Sequence, residues 1–227
     1  FYRAARPKTA KLHYMFAAVP LSTRAHLRFR AAALSLKRNA KRREREKMDF
    51  LELAKERYSV RKFSDKKVER EKLDAILEAG RCAPTAVNYQ PQRVLVLESP
   101  EALEKLKGCT PYHFHAPLAL LVCYDREASW KRSFDNCDMG AVDAAIVTTQ
   151  MMLEAASLGL GTTWVGYFDP AEVRKAYELR DYLIPVAILP VGAAPAPFHE
   201  KRLAREETVF FDSFDGVKPG SREAGAH

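Results

Sequence analysis

Between Ala141 and Leu158 the chain reads AVDAAIVTTQMMLEAASL, and its only strongly polar residues there are Asp143, Gln150 and Glu154. A surface helix keeps one broad polar face, whereas a helix apolar on nearly all sides is buried on nearly all sides. The periodicity predicts a helix near Met139–Leu158, ended by Gly159, with a length of about 27 Å. In a chain of 227 residues, 47% of them hydrophobic, such a helix is either the central core element or part of a large subunit interface. Taking it as both predicts a homodimer with this helix at its centre.

Around that helix the pattern alternates between helix and strand. Phe50, Leu51, Leu53 and Ala54 mark one short helix. Leu73, Ile76, Leu77 and Gly80, at i, i+3, i+4 and i+7, mark a second. Gln92 to Leu97 reads as a strand, Pro100 to Lys107 as a helix with Pro in its first turn, and Pro117 to Tyr124 as a continuous apolar strand. Thr162 to Val165 and Ile184 to Leu189 complete the strands, with a helix from Pro170 to about Glu178 between them.

The formal charge of +8 invites a nucleic-acid or lipid reading, but its distribution argues otherwise. Residues 1–47 hold 14 Lys and Arg against Glu44 and Glu46, a net +12, which leaves a net −4 on the remaining 180 residues. The Arg-rich, acid-poor leader has the composition of a transit peptide, of a nucleic-acid arm, or of an extension outside the working protein. Because an amphipathic helix opens at Met48-Asp49-Phe50, residues 1–47 are set aside as such an extension. Residues 48–214 are read as the folded domain and 215–227 as a flexible tail, with no nucleic-acid role for the domain.

No apolar run approaches the roughly 20 residues of a membrane helix, so no membrane partner is expected. Cys82, Cys109, Cys123 and Cys137 are widely spaced, with no C-x-x-C. They read as reduced thiols rather than a disulfide framework, in keeping with a cytoplasmic chain. His113-x-His115 has no third ligand at helical spacing and reads as structural rather than metal-binding.

Phosphate-loop, nucleophile-elbow and zinc-protease motifs are absent from the sequence. Gly159-x-Gly161 follows a helix and opens a strand, the reverse of a dinucleotide-binding turn. These glycines read as a helix C-cap and a tight turn. Two polar segments remain. Arg57-Tyr58-Ser59-Val60-Arg61 places two guanidinium groups around a hydroxyl where the first helix runs out, an arrangement suited to phosphate or to a solvated helix end. Ala83-Pro84-Thr85-Ala86-Val87-Asn88-Tyr89-Gln90-Pro91-Gln92 is a Pro-bounded turn with amides that both donate and accept, as an ordinary loop or the edge of a heterocycle site would have.

These segments, together with L-G-L-G-T-T-W-V-G-Y-F at 158–168, H-E-K-R at 199–202 and E-E-T-V at 206–209, resemble in order and spacing the FMN-dependent nitroreductase family. The resemblance spans Met48 to about Phe214. It implies an α+β fold, a mostly antiparallel sheet flanked by helices, in an intertwined homodimer whose C-terminal arm crosses to the partner and whose interface holds two FMN.

Carried over to this chain, the resemblance implies that Arg57 and Ser59 hold the FMN phosphate, within the binding segment Arg57, Tyr58, Ser59, Val60 and Arg61. Arg61 would stabilise negative charge on the reduced ring. Pro84, Thr85, Ala86 and Asn88 of the other subunit would pack against the ring. Val165, Gly166 and Tyr167 would supply a backbone N–H to flavin N5. Many relatives have Pro-x-Glu-Gly there, so a backbone role survives in Trp164-Val165-Gly166-Tyr167 and a Glu side-chain role does not. Lys201 and Arg202 match the basic pair that closes on the phosphate.

The implied activity is two-electron reduction of nitroaromatic, quinone-like or related electrophiles, with NADH or NADPH as donor and ping-pong kinetics. No catalytic side chain is expected, because a flavin carries the hydride chemistry while the protein orients it. Other readings are reductive dehalogenation or flavin breakdown on the same fold, a flavin-binding module without turnover, and a nucleic-acid-binding protein driven by the basic arm.

Overall fold

The computed structural model describes residues 49–194 and 202–214, all within a compact unit that begins at Asp49. Its helices are α1 (Phe50–Glu56), α2 (Arg70–Arg81), α3 (Pro100–Cys109), α4 (Gly140–Ser157) and α5 (Pro170–Ala176). Its strands are β1 (Gln92–Leu97), β2 (Leu118–Asp125), β3 (Gly161–Thr162) and β4 (Leu183–Gly192). The strands form one sheet in the order β1-β2-β4-β3, and every pairing within it is antiparallel. The fold is therefore α+β, as the sequence implies.

β2 is the middle of the structure because its side chains are apolar on both faces. Leu118, Leu120, Val122 and Tyr124 point into one core with α2 and α4, contributed by Leu73, Ile76, Ala144, Val147 and Met151. The intervening Ala119, Leu121 and Cys123 point into a second core with α3 and α5, contributed by Leu106, Cys109 and Val173. The period of two along the strand thus distributes one continuous apolar run between two helical layers. β2 and β4 slip register between Val122 and Cys123, where Cys123 faces Pro185, a residue with no N–H to give the ladder.

The ends of α3 and α5 are written in the sequence. Ser99 Oγ accepts the Ala102 N–H at 3.1 Å ahead of Pro100, and Asp169 Oδ1 accepts from Ala171 and Glu172 at 2.8 and 3.3 Å ahead of Pro170. Gly159 ends α4 at φ +74, with its N–H on Ala156 O and the Leu160 N–H on Ala155 O, the paired bonds of a glycine cap.

Some expectations are corrected. The strand placed at Thr162–Val165 is only Gly161–Thr162 plus a single bridge from Val165 to Ile188, because the chain turns aside at Thr162 and Thr163 to bond Val60. β4 does not stop at Leu189 but continues through Pro190 to Gly192. α5 ends at Ala176, short of Glu178, which lies at φ 51. The amphipathic helix at the start of the domain buries none of its residues in the protomer, with Phe50 66% and Leu51 57% exposed.

α4 also departs from burial on all sides. Gly140, Asp143, Ala144, Val147, Thr148, Met151 and Ala155 are buried, whereas Val142 and Ile146 are 47% and 37% exposed. An open groove lined by Ala141, Val142, Ala145, Ile146, Thr149 and Leu153 runs along that outer face. No helix among the described residues is long and apolar enough to cross a membrane.

All four cysteines are free, with Cys82 and Cys137 exposed and Cys109 and Cys123 buried. Burial pushes the Cys123 thiol up to about 11, so it is a poor nucleophile at neutral pH. A maleimide should accordingly label Cys82 and Cys137 in the native protein and reach Cys109 and Cys123 only after denaturation. Mass spectrometry of the labelled peptides checks this.

Candidate functional site

The segment that leaves α1 is fixed by the turn that leaves α4. Val60 N–H donates to Thr162 O at 2.9 Å, Ser59 forms a parallel bridge with Thr162, and Thr163 Oγ1 donates to Val60 O. Val60 is buried, while Arg57, Tyr58 and Ser59 on one side are half-buried and Arg61 on the other is exposed. Val60 is thus the buried residue of the segment, between half-buried Ser59 and exposed Arg61.

Arg202, 145 residues away in sequence, donates from Nη2 to Arg57 O at 3.1 Å. Arg57 Nη1 in turn reaches Met152 Sδ on α4 at 4.0 Å. Arg202 thus brings a guanidinium group to the backbone of the segment that also carries Arg57 and Ser59, donors of the kind a phosphate requires. Lys201 lies outside the described residues.

The turn at 165–167 is pinned on both sides. Val165 exchanges both backbone bonds with Ile188, at 2.9 and 3.0 Å, and Tyr167 O accepts from Thr110 Oγ1 at 2.6 Å. The Val165 N–H is therefore taken up by Ile188, which leaves Gly166 and Tyr167 of the expected donor stretch. Both are exposed. Tyr167 also meets the Tyr112 ring edge-on at 5.5 Å, and Tyr112 N donates to the same Thr110 hydroxyl at 3.1 Å.

Pro84 to Asn88 is held at a different place. Residues Ala86–Asn88 form a 3-10 turn, and Ala86 N–H donates to Asp143 Oδ1 in the first turn of α4 at 2.8 Å. Thr85 Oγ1 accepts the Gln90 N–H at 3.1 Å. Val87, Asn88 and Gln90 all have φ between 52 and 57. For a β-branched residue such as Val87 that conformation costs on the order of 1–3 kcal/mol and persists only when its surroundings hold it. Val87 is 65% exposed, so its own packing does not supply the restraint.

The protomer thus ties Arg57–Arg61 to Arg202 and to Thr162 and Thr163 ahead of the Gly166 turn, and ties Pro84–Asn88 to another turn of α4. Asp143 and Met152, the two contact points on that helix, are nine residues or roughly 13 Å of axial rise apart. Sequence reasoning gave no role to Asp143, Thr110 or Thr163. Asp143 did carry a signal, as an acid on an otherwise apolar helix, but the two threonines have none that distinguishes them from other loop hydroxyls.

His113 and His115 pack edge-on at 4.4 Å, and His113 Nδ1 accepts the His115 N–H at 3.1 Å. Burial, with the neighbouring His115 and Lys107, holds His113 below the usual imidazole range. Among the described residues no group of three His, Cys, Asp or Glu is placed to hold a metal ion.

Comparison with known proteins shows what the chain is similar to. A protein of Methanothermobacter thermautotrophicus named "Putative NADH dehydrogenase/NAD(P)H nitroreductase" is 35% identical over 153 residues, 64% of this chain and 78% of that one. A Bacillus subtilis protein named FMN reductase, NAD(P)H, is 32% identical over 152 residues, 59% of this chain and 61% of its own length. The crystal structure of a nitroreductase family protein from Clostridium difficile 630 superposes with a TM-score of 0.70 at 41% identity, covering 73% of this chain and 99% of that one. The model of the nitroreductase family matches residues 54–110 and 111–193, which include both arginines of the 57–61 segment, the Pro84–Asn88 turn and the Gly166 turn. The chain belongs to the nitroreductase family.

Proposed function

We propose that this protein is an FMN-dependent oxidoreductase that uses NADH or NADPH to reduce nitroaromatic, quinone-like or related electrophiles. The observation that carries the reading is the bond from Arg202 to the Arg57 carbonyl, which brings a second guanidinium to the segment holding Arg57 and Ser59 across 145 residues of sequence. The FMN reductase and nitroreductase names of relatives support the same cofactor and donor. Bound FMN would supply the hydride chemistry.

The chain's own residues then have separate tasks. Arg57, Ser59 and Arg202 hold the phosphate, with Lys201 the fourth candidate donor. Arg61, the exposed residue after buried Val60, brings positive charge to the ring. Gly166 or Tyr167 offers a backbone N–H, held in place by the Val165–Ile188 bonds and by Thr110. Without the family's Glu at this turn, the acceptor meets the exposed Tyr167 and Tyr112 rings instead.

The working unit is a homodimer with α4 at its centre. Three features support it: the open apolar groove on α4, the exposed Phe50 and Leu51, and the separation of the Pro84–Asn88 turn from the arginine cluster. A second copy would cover the groove and bring its own Pro84–Asn88 turn to the ring side of the arginine cluster. The folded domain is taken as residues 48–214, with residues 1–47 outside it. The chain works in the cytoplasm, with no nucleic-acid partner.

Donor and acceptor that stack in turn on one face cannot be bound productively together. Steady-state rates should therefore give parallel double-reciprocal lines when NAD(P)H and a quinone are varied. Intersecting lines would show that both substrates occupy the site at once and would overturn the shared-face arrangement.

A further inference from the structure

Asp143 is 2% exposed, sits among Ala144, Val147 and Thr148 on α4, and uses one oxygen to hold a backbone N–H 57 residues away. Its other oxygen, Oδ2, is buried with no hydrogen-bond partner among the described residues. Burying a carboxylate with one oxygen unsatisfied is unfavourable for folding, and an apolar residue at this helical position would avoid it. What the carboxylate does provide is a fixed end to the Ala86–Asn88 turn, whose left-handed residues Val87 and Asn88, like Gln90 just beyond it, are exposed and have no packing of their own to hold them.

We propose that Asp143 is a positioning residue, which through the Ala86 N–H holds the Pro84–Asn88 turn in the strained shape that packs against the flavin ring. This rests on the flavin reading above and adds to it a residue that touches neither phosphate nor ring. The acid acts by geometry: a short, buried acceptor on a rigid helix fixes the height of the turn, while Thr85 Oγ1 fixes its exit through Gln90. Because the turn and the arginine cluster are tied to different parts of α4, the ring contact and the phosphate contact can be perturbed separately.

That separation defines the experiment. The full-length protein is stripped of flavin and titrated with FMN and with riboflavin, which has the same ring and no phosphate, by quenching of flavin fluorescence. Asp143→Ala should weaken both ligands by the same factor, roughly ten- to hundred-fold, the worth of one charged hydrogen bond. It should also blur the fine structure of the bound flavin's visible band, which reports the surroundings of the ring. Arg57→Ala should weaken FMN alone and leave the band unchanged.

Asp143→Asn keeps an acceptor for Ala86 and should stay close to wild type in both respects. Should Asp143→Ala not fold, Ala86→Pro removes the donor from the other side at a position that tolerates proline, and should reproduce the equal loss. Unchanged binding and spectrum in Asp143→Ala or Ala86→Pro, with a wild-type protein that binds FMN, would overturn the role of Asp143 alone. A loss confined to FMN would do so as well. A wild-type protein that takes up neither ligand would overturn the flavin reading and this inference with it.

Discussion

Replacing Arg57 or Arg202 by alanine should weaken FMN retention by about 1.5–3 kcal/mol each, the range for a hydrogen bond to a charged group. Isothermal titration of the flavin-free proteins reads the loss. The two effects should not simply add. Arg202 is anchored to the Arg57 backbone carbonyl rather than to its side chain, so Arg57→Ala leaves that anchor in place. Removing Arg202, by contrast, frees the segment around it. A double-variant cycle should therefore show a coupling between the two positions. Arg61→Ala should behave differently if Arg61 serves the ring as proposed, slowing reduction by NAD(P)H more than it weakens binding.

A larger structural effect is expected at Gly161. A Cβ there would lie 2.4 Å from Val60 Cγ2 and 3.0 Å from Val60 Cβ. Val60 is 3% exposed, β-branched and bonded through its backbone to Thr162 and Thr163, so it cannot swing aside as the end of a long side chain would. Overpacking of this kind costs about 1–3 kcal/mol. Gly161→Ala should lower the midpoint of thermal unfolding by several degrees, and it should also release FMN, because the residue pushed out of place lies between Ser59 and Arg61. Loss of stability with full flavin affinity would show that the 57–61 segment is not held by this contact. Gly159 lies two residues away with open space around it, so alanine there should strain only the backbone of the α4 cap.

The helices and strands were legible because their signals are local. Ser99-Pro100 and Asp169-Pro170 start helices wherever they occur, and the alternation of β2 follows from eight residues in a row. The misplaced boundaries lie where a distant residue decides. The ladder with β4 ends at Thr162, which with Thr163 also bonds Val60, about a hundred residues earlier, and nothing within 158–168 announces that partner. The candidate site divides in the same way. The arginines at 57 and 61 and the Gly166 turn stood out by residue type, whereas the bond from Arg202 to Arg57 and the withdrawal of the Val165 N–H are tertiary facts. The apolar helix was read as buried on every side, and in the protomer it is buried on one. The difference between those two statements is the surface that a second copy would cover.

If this chain holds FMN and passes hydride from a nicotinamide to an acceptor, an anaerobic spectrum of the purified protein shows it directly. A visible flavin band should bleach when NADH or NADPH is added and return when a quinone or nitroaromatic compound follows. A protein that binds no flavin, even after incubation with FMN, or one whose bound flavin neither nicotinamide can bleach, would contradict it.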